Sequence, residues 1–194
     1  GGGPIGAGWA AHFLSKGYKV KSYIHDKSEK SIYESIIKTA WTSLKEIGLN
    51  KSASLNNLLI SSDLIEVVEG TQFVQESIPE NLPLKCEFYK TLGHLVTKEV
   101  VIASSTSGLT MTEIQRACST PERTVIGHPF NPPYLLPLVE IVGGKKTSKL
   151  AVKWAYDFYE YAGKKPLALK KEIPGFVATR LQEALWREAL HMVA

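Results

Sequence analysis

The sequence predicts an α/β protein with a Rossmann-like, doubly wound and mainly parallel sheet, followed by the start of a small all-α domain. Three observations carry that expectation. Short apolar runs rich in Val, Ile and Tyr alternate with segments of helical periodicity, and such an order packs as a sheet covered by helices. A glycine-rich stretch opens the chain and leads directly into a helix-like run. Pro174-Gly175 separates the last strand from one further amphipathic helix, which cannot bury its own apolar face as a domain.

Composition narrows the function classes. The 194 residues are 44% hydrophobic and 22% charged, which suits one to two ordinary globular domains. Lys plus Arg is 23 against 19 for Asp plus Glu, a net charge of +4. That is too mild for a nucleic-acid surface, and no basic block stands out. No apolar run approaches the roughly 18 residues that span a bilayer, and no signal-peptide pattern is present. Cys86 and Cys118 lack the spacing of metal ligands, so two buried thiols in a reducing compartment are expected, with no metal site. The protein is expected in the cytoplasm, without a membrane or nucleic-acid partner.

The elements follow in order. Gly1, Gly3 and Gly6 form GxGxxG with Pro4 and Ile5 inside it. The first glycine serves a tight turn, the second lets a pyrophosphate approach the backbone, and the third permits close helix packing. The helix that follows aims its N-terminal amides at the phosphates and ends at Lys16-Gly17, a natural stop. Residues 18–24 read as a strand. Glycine loop, helix and strand stand in Rossmann order. The motif also calls for a strand before the first glycine, in the middle of the sheet. A domain over residues 1–173 lacking that first strand is therefore expected. The acidic residue that should end the next strand and bind a ribose is displaced: Ile24 stands there and Asp26 lies two positions on. Asp26 reads equally as a ribose ligand and as a turn aspartate.

Residues 28–47 read as a helix with Ile32, Ile36, Ile37, Ala40, Leu44 and Ile47 on its apolar face, and Trp41 as a packing residue. Strands are expected at 58–60, 72–77, 99–103, 124–127 and 165–170. Helices are expected at 63–68, 83–94 and 148–162, with another capped by Thr112 and ended by Pro121. A last helix covers 176–193. Ligands of such sheets bind at the carboxyl ends of strands, where Glu80, Ser107 and His128 fall.

The stretch 127–142 carries the chemistry. His128 and Glu140 flank a proline-rich segment that cannot pair as a central strand, and each lies on a short strand. Those strands could bring a histidine to a carboxylate, the base and orienter of proton-transfer enzymes. On the residues alone, a capped core histidine beside a surface glutamate is an equal reading.

Six motifs in order settle that choice by resemblance: the glycine loop, 75–82 (QESIPENL), 104–107 (SSTS), 128–132 (HPFNP), 138–140 (LVE) and 174–176 (PGF). Over essentially the whole chain they resemble the L-3-hydroxyacyl-CoA dehydrogenase family. The runs 127–144 and 183–190 look most like its carnitine 3-dehydrogenase branch. The acyl-CoA enzymes and L-gulonate 3-dehydrogenase are the close alternatives. The resemblance implies NAD as cofactor and oxidation of a 3-hydroxyl in a small-molecule substrate, L-carnitine first. His128 would take the hydroxyl proton, and Glu140 would orient the imidazole and favour its protonated form. Ser107 would hydrogen-bond the hydroxyl, and Asn131 would position nicotinamide or substrate. Glu80 and Lys85 match positions that meet a cofactor ribose. Residues 174–194 would begin a helical domain that forms homodimers.

Thr179 stands where relatives carry Asn or Asp. Thr179, Glu183 and Trp186 share a helical stripe, so the Trp186 ring and Glu183 charge could receive a quaternary ammonium. Equally, Trp186 packs and Glu183 pairs with Arg187. A noncatalytic dinucleotide-binding or crystallin-like protein is the reading of another class. The joint presence of Ser107, His128 and Glu140 argues against it.

Overall fold

A computed structural model describes residues 1–194. Helix α1 (Pro4–Ser15) leads into strand β1 (Val20–Tyr23). Then come α2 (Lys30–Ile47), β2 (Leu58–Ser61), α3 (Leu64–Val68) and β3 (Phe73–Glu76). Helix α4 (Leu82–Leu95), β4 (Val101–Ser104) and the short α5 (Met111–Ile114) precede two longer strands. These are β5 (Thr124–Pro129) and β6 (Leu138–Gly143). The chain ends with α6 (Lys149–Tyr161), β7 (Lys165–Ala168) and α7 (Ala178–Val193). The expected alternation of strand and helix is present except between β5 and β6, which follow each other directly.

The strands form two sheets. One pairs β1 with β2 in parallel; the other has the order β3-β4-β5-β6-β7. In the larger sheet only the β5–β6 pair is antiparallel. Strands β1 and β3 each keep one unpaired edge. Between them lies a cavity of about 790 Å³ lined by residues of both, among them Val20, Ser22, Phe73 and Gln75. A single parallel strand set there would join the sheets as β2-β1-strand-β3-β4-β5, the order that the glycine motif calls for.

Three apolar clusters hold the layers. Trp9 and Phe13 of α1 pack with Ala155 and Tyr159 of α6 and with sheet residues Val101, Val125 and Ile141. Tyr89 and Leu92 of α4 meet Ile102, Ile126 and Val142, with Phe176 among them. Helices α1 and α2 pack through Ala7, Ala11, Leu14, Tyr33, Ile37 and Trp41. The buried face of α2 is therefore Tyr33, Ile37, Ala40, Trp41 and Leu44, and Ile32 and Ile47 are each 65% exposed. The apolar stripe expected through Ile32 and Ile47 is shifted toward Tyr33 and Trp41, with the Tyr33 hydroxyl bonding Ser22 and the Gly6 carbonyl beneath.

Two local expectations are also corrected. Thr110, not Thr112, caps α5 by accepting from the Glu113 amide. Thr112 instead donates its hydroxyl to Glu172 and accepts from the Lys145 amide. Pro174-Gly175 is not a bare link either. Gly175 turns at φ +72°, a left-handed conformation that favours glycine. Phe176 then plugs the core, fully buried. Beyond it α7 has no buried residue. No helix is long and apolar enough to cross a membrane.

Candidate active site

Residues His128 of β5 and Glu140 of β6 stand directly opposite each other across the antiparallel pair. The register follows from the connecting segment, whose prolines keep residues 131–137 out of the ladder. The result is a contact of 2.8 Å between His128 Nδ1 and Glu140 Oε2. Glu140 is fully buried and His128 is 7% exposed.

A buried carboxylate is tolerated only when its oxygens are satisfied. The second oxygen, Oε1, accepts the amides of Val177 and Ala178 at 3.0 and 2.9 Å. These are free donors at the start of α7, where the helix dipole also favours negative charge. Burial pushes the Glu140 carboxyl up. The bonds from His128, Ala178 and Val177 outweigh it and hold the group below its ordinary value. With Nδ1 engaged, Nε2 of His128 makes no bond to the protein. The imidazole is wedged by the rings of Phe130 and Phe176, with centroids at 5.0 and 5.5 Å.

Ser107 follows β4 on an exposed loop. Its conformation is set by Glu80, whose Oε1 accepts the Thr106 hydroxyl at 2.5 Å and the amides of Ser107 and Gly108 at 3.1 Å. Beneath it lies a second buried carboxylate that was not singled out from the sequence. Glu76, at the end of β3, bonds the Lys85 ammonium at 2.6 Å, the Ser104 hydroxyl at 2.6 Å and the Ile78 amide at 2.7 Å. Lys85 is 1% exposed and also reaches the Ile78 carbonyl. It therefore serves as a brace under the loops 77–80 and 104–108, and Glu80 serves as a clamp on Ser107. A sequence signal existed: a carboxylate at a strand end with a lysine one turn into the next helix.

The glycine loop fits a dinucleotide. A Cβ on Gly1 would fall 2.3 Å from the Ser77 carbonyl oxygen, and one on Gly6 would fall 2.0 Å from that of Gly1. Gly3 opens onto free space, as a pyrophosphate approach requires. No side chain caps the N-terminus of α1, Pro4 occupies its first turn, and no acidic residue is present there. Ile5 packs against the α1–α6 cluster. Asp26 is exposed and its carboxylate caps Ser28 at 2.8 Å. The acid beside the loop is instead Glu29. Its Oε2 accepts the His25 amide at 3.3 Å and lies 2.5 Å from where a Cβ of Gly2 would stand. A distance of three residues from Asp26 hid this in the sequence.

Asn131 is exposed just past β5, and Thr179 is half-buried in the first turn of α7. Glu183 is exposed, Trp186 is 65% exposed, and neither packs against the body of the chain. No group of histidine, cysteine or carboxylate side chains could hold a metal ion.

Comparison with known proteins identifies the family and the fold. Residues 1–173 match the model of the 3-hydroxyacyl-CoA dehydrogenase NAD-binding domain. The chain belongs to the 3-hydroxyacyl-CoA dehydrogenase family, and these residues are its NAD-binding domain. L-carnitine dehydrogenases of Nocardiopsis dassonvillei and Streptomyces coelicolor are 49% and 50% identical over 194 residues. The whole of this chain is covered in each, and 59% and 61% of the relatives. The chain thus spans about three fifths of the length of the relatives it matches. Among solved structures, an NAD-dependent 5-formyl-3-hydroxy-2-methylpyridine 4-carboxylic acid 5-dehydrogenase superposes with a TM-score of 0.93 at 34% identity. That match covers 100% of this chain and 63% of the other. A 3-hydroxybutyryl-CoA dehydrogenase of Escherichia coli gives 0.88 at 25% identity, covering 100% and 42%.

The Glu140 carboxyl makes a pH prediction. Its folded pKa lies below the ordinary 4.5, so the unfolded chain binds the proton more readily. The stability it confers is complete above about 4.5 and is lost as pH falls through the folded value. Glu140→Gln should cost about 1–3 kcal/mol at neutral pH and flatten that acid limb. Urea denaturation at stepped pH measures both effects.

Proposed function

We propose that this chain carries the cofactor-binding and proton-transfer half of an NAD-dependent dehydrogenase that oxidises the 3-hydroxyl of L-carnitine to 3-dehydrocarnitine. The observation that carries the reading is the buried His128–Glu140 contact of 2.8 Å, which leaves one imidazole nitrogen free at the carboxyl end of β5. The two relatives at 49% and 50% identity, named L-carnitine dehydrogenases, supply the substrate.

NAD supplies the hydride acceptor. His128 takes the hydroxyl proton at Nε2, and the Glu140 carboxylate stabilises the imidazolium that results. Ser107 hydrogen-bonds the same oxygen, and Asn131 positions the reacting groups. Glu80 and Lys85, which by family resemblance lie beside the cofactor ribose, also hold the Ser107 loop, Glu80 directly and Lys85 through Glu76. Residues 174–194 begin the helical domain. The exposed Leu181, Leu185 and Leu190 of α7 belong to the surface that pairs two copies. Thr179, Glu183 and Trp186 face the ammonium end of the substrate. The two free cysteines support a reducing, cytoplasmic setting.

In the full-length protein, His128→Ala should lower kcat for carnitine about 10²–10⁴-fold and leave the KM for NAD nearly unchanged. NADH formation with L-carnitine against a hydroxyacyl-CoA reads both the mechanism and the substrate. Near-normal turnover in the variant removes His128 from the reaction.

For the cofactor, the carboxylate of Glu29 should reject a 2′-phosphate by charge repulsion. Glu29→Gln is expected to narrow the NAD over NADP preference about tenfold or more, the weight of 1.4 kcal/mol. Asp26→Ala should leave that preference in place. The opposite outcome would return the role to Asp26.

A further inference from the structure

Lys164 lies in the turn between α6 and β7 and is 3% exposed, yet it forms no ion pair with a carboxylate. Its ammonium donates to two backbone carbonyls, those of Pro133 and Leu136, the second at 3.1 Å. The same ammonium sits 5.1 Å from the ring centroid of Trp9 on α1, a cation–π contact. Both carbonyls belong to the segment 130–137 that links β5 to β6. That segment starts at Phe130 beside the His128 ring and carries Asn131. It also touches α1: a Cβ on Gly8 would fall 2.8 Å from Pro133. Trp9 in turn donates to Ser105 at 3.3 Å, two residues before Ser107.

A lone buried ammonium is expensive to desolvate. A solvated loop would ordinarily be held by its own turns. This one has the amides of Leu135 and Leu136 on the Pro132 carbonyl and, at its far end, the Lys165 amide on the Pro137 carbonyl at 2.8 Å, so the only hydrogen bonds tying its middle to the rest of the fold are those of Lys164. The charge therefore has a task that a neutral side chain would not perform. We infer that Lys164 is a positioning residue that docks the Asn131 loop onto the helix of the glycine loop, so that the catalytic histidine and the cofactor element keep one fixed spacing. The inference rests on the reading of His128 and Asn131 given above.

The surroundings of Lys164 make the clamp pH-sensitive. Burial, then the neighbouring Lys16 just past the end of α1, lower its pKa from 10.5 to about 8. The other titratable group facing it on α1 is His12, whose Nε2 contacts the Ala162 carbonyl at 2.9 Å. Burial, then Lys164, lower the His12 pKa to about 3, so His12 is neutral throughout the working range. Lys165 follows in the chain and is exposed. Above about pH 8 the ammonium becomes an amine, the cation–π contact is lost and the two carbonyl bonds weaken.

The test uses the full-length protein with Lys164→Met, which keeps the length of the side chain and removes the charge and donors. Hydrogen exchange by mass spectrometry at neutral pH should show segment 130–137 exchanging at least about tenfold faster, equal to 1.4 kcal/mol of local opening, with α6 and β7 unchanged. In carnitine oxidation, kcat should fall about ten- to a hundredfold with little change in the KM for NAD. An alkaline fall of kcat near pH 8, present in the wild type, should be absent from the variant. Unaltered exchange in 130–137, or faster exchange spread evenly over the domain, overturns the inference. If Lys164→Met does not fold, the wild type still decides. Its 130–137 segment must lose protection, after correction for intrinsic rates, on crossing pH 8, while α6 does not. If the wild type turns over no carnitine, the proposed function fails, and the exchange measurements still judge Lys164.

Discussion

The carboxylate of Glu140 is the interaction on which the rest of the site depends. One oxygen holds the His128 imidazole at 2.8 Å and the other holds the first two amides around the start of α7. Strand β5, strand β6 and the entry to the helical segment therefore meet on one charged group. The charge is fully buried, so each of these bonds matters more than it would in water. Remove the imidazole and the desolvated Oε2 is left unpaired, whereas Oε1 has two amides to share the loss of either. Remove the carboxylate and three elements lose a shared fixed point. Phe176 reinforces the same junction by filling the core next to the His128 ring.

Around that point the molecule repeats one device, an ionised group bonded to loop backbone, buried at Glu76, Lys85 and Lys164 and exposed at Glu80. Glu76 with Lys85 braces the end of β3 and the loop 77–80. Glu80 clamps the amides at Ser107 and Gly108. Lys164 holds the carbonyls of Pro133 and Leu136. Loops at the carboxyl end of the sheet would otherwise be its most mobile parts. Charge-assisted bonds to their backbones restrain them. Small residues make room for the rest: a Cβ on Gly127 would fall 2.0 Å from the Tyr159 hydroxyl, which itself bonds Gln75 at 2.5 Å.

Much of this was legible in the sequence because it depends on local order. The GxGxxG loop and the alternation of strands and helices follow from spacing along the chain, while the pairing of His128 with Glu140 is one of two equal readings until the family resemblance favours it. The gap in the sheet also follows from spacing, since the glycine motif calls for a strand before it and β1 and β3 face each other across a cavity. What escaped was set by tertiary contact. Tyr33 turns α2 by bonding Ser22 and Gly6, which no periodicity in α2 records. Thr112 gives up capping because Glu172 reaches it from 60 residues away. The burial of Lys85 and Lys164 escaped, since nothing in their neighbours along the chain reveals it; the sequence marks Lys85 only by its resemblance to a cofactor-ribose position. Glu29 escaped through a shift of a few residues in the turn after β1.

The account stands or falls on the tautomer of His128. A carboxylate at Nδ1 fixes the proton on that nitrogen in the neutral ring and leaves the Nε2 lone pair for the substrate. Long-range proton–nitrogen NMR of the histidine-labelled full-length protein, assigned with His128→Gln, reads this directly. The account predicts a neutral ring protonated at Nδ1 with an unprotonated Nε2, and loss of that preference in Glu140→Gln. A neutral His128 carrying its proton on Nε2, unaffected by Glu140→Gln, would contradict it.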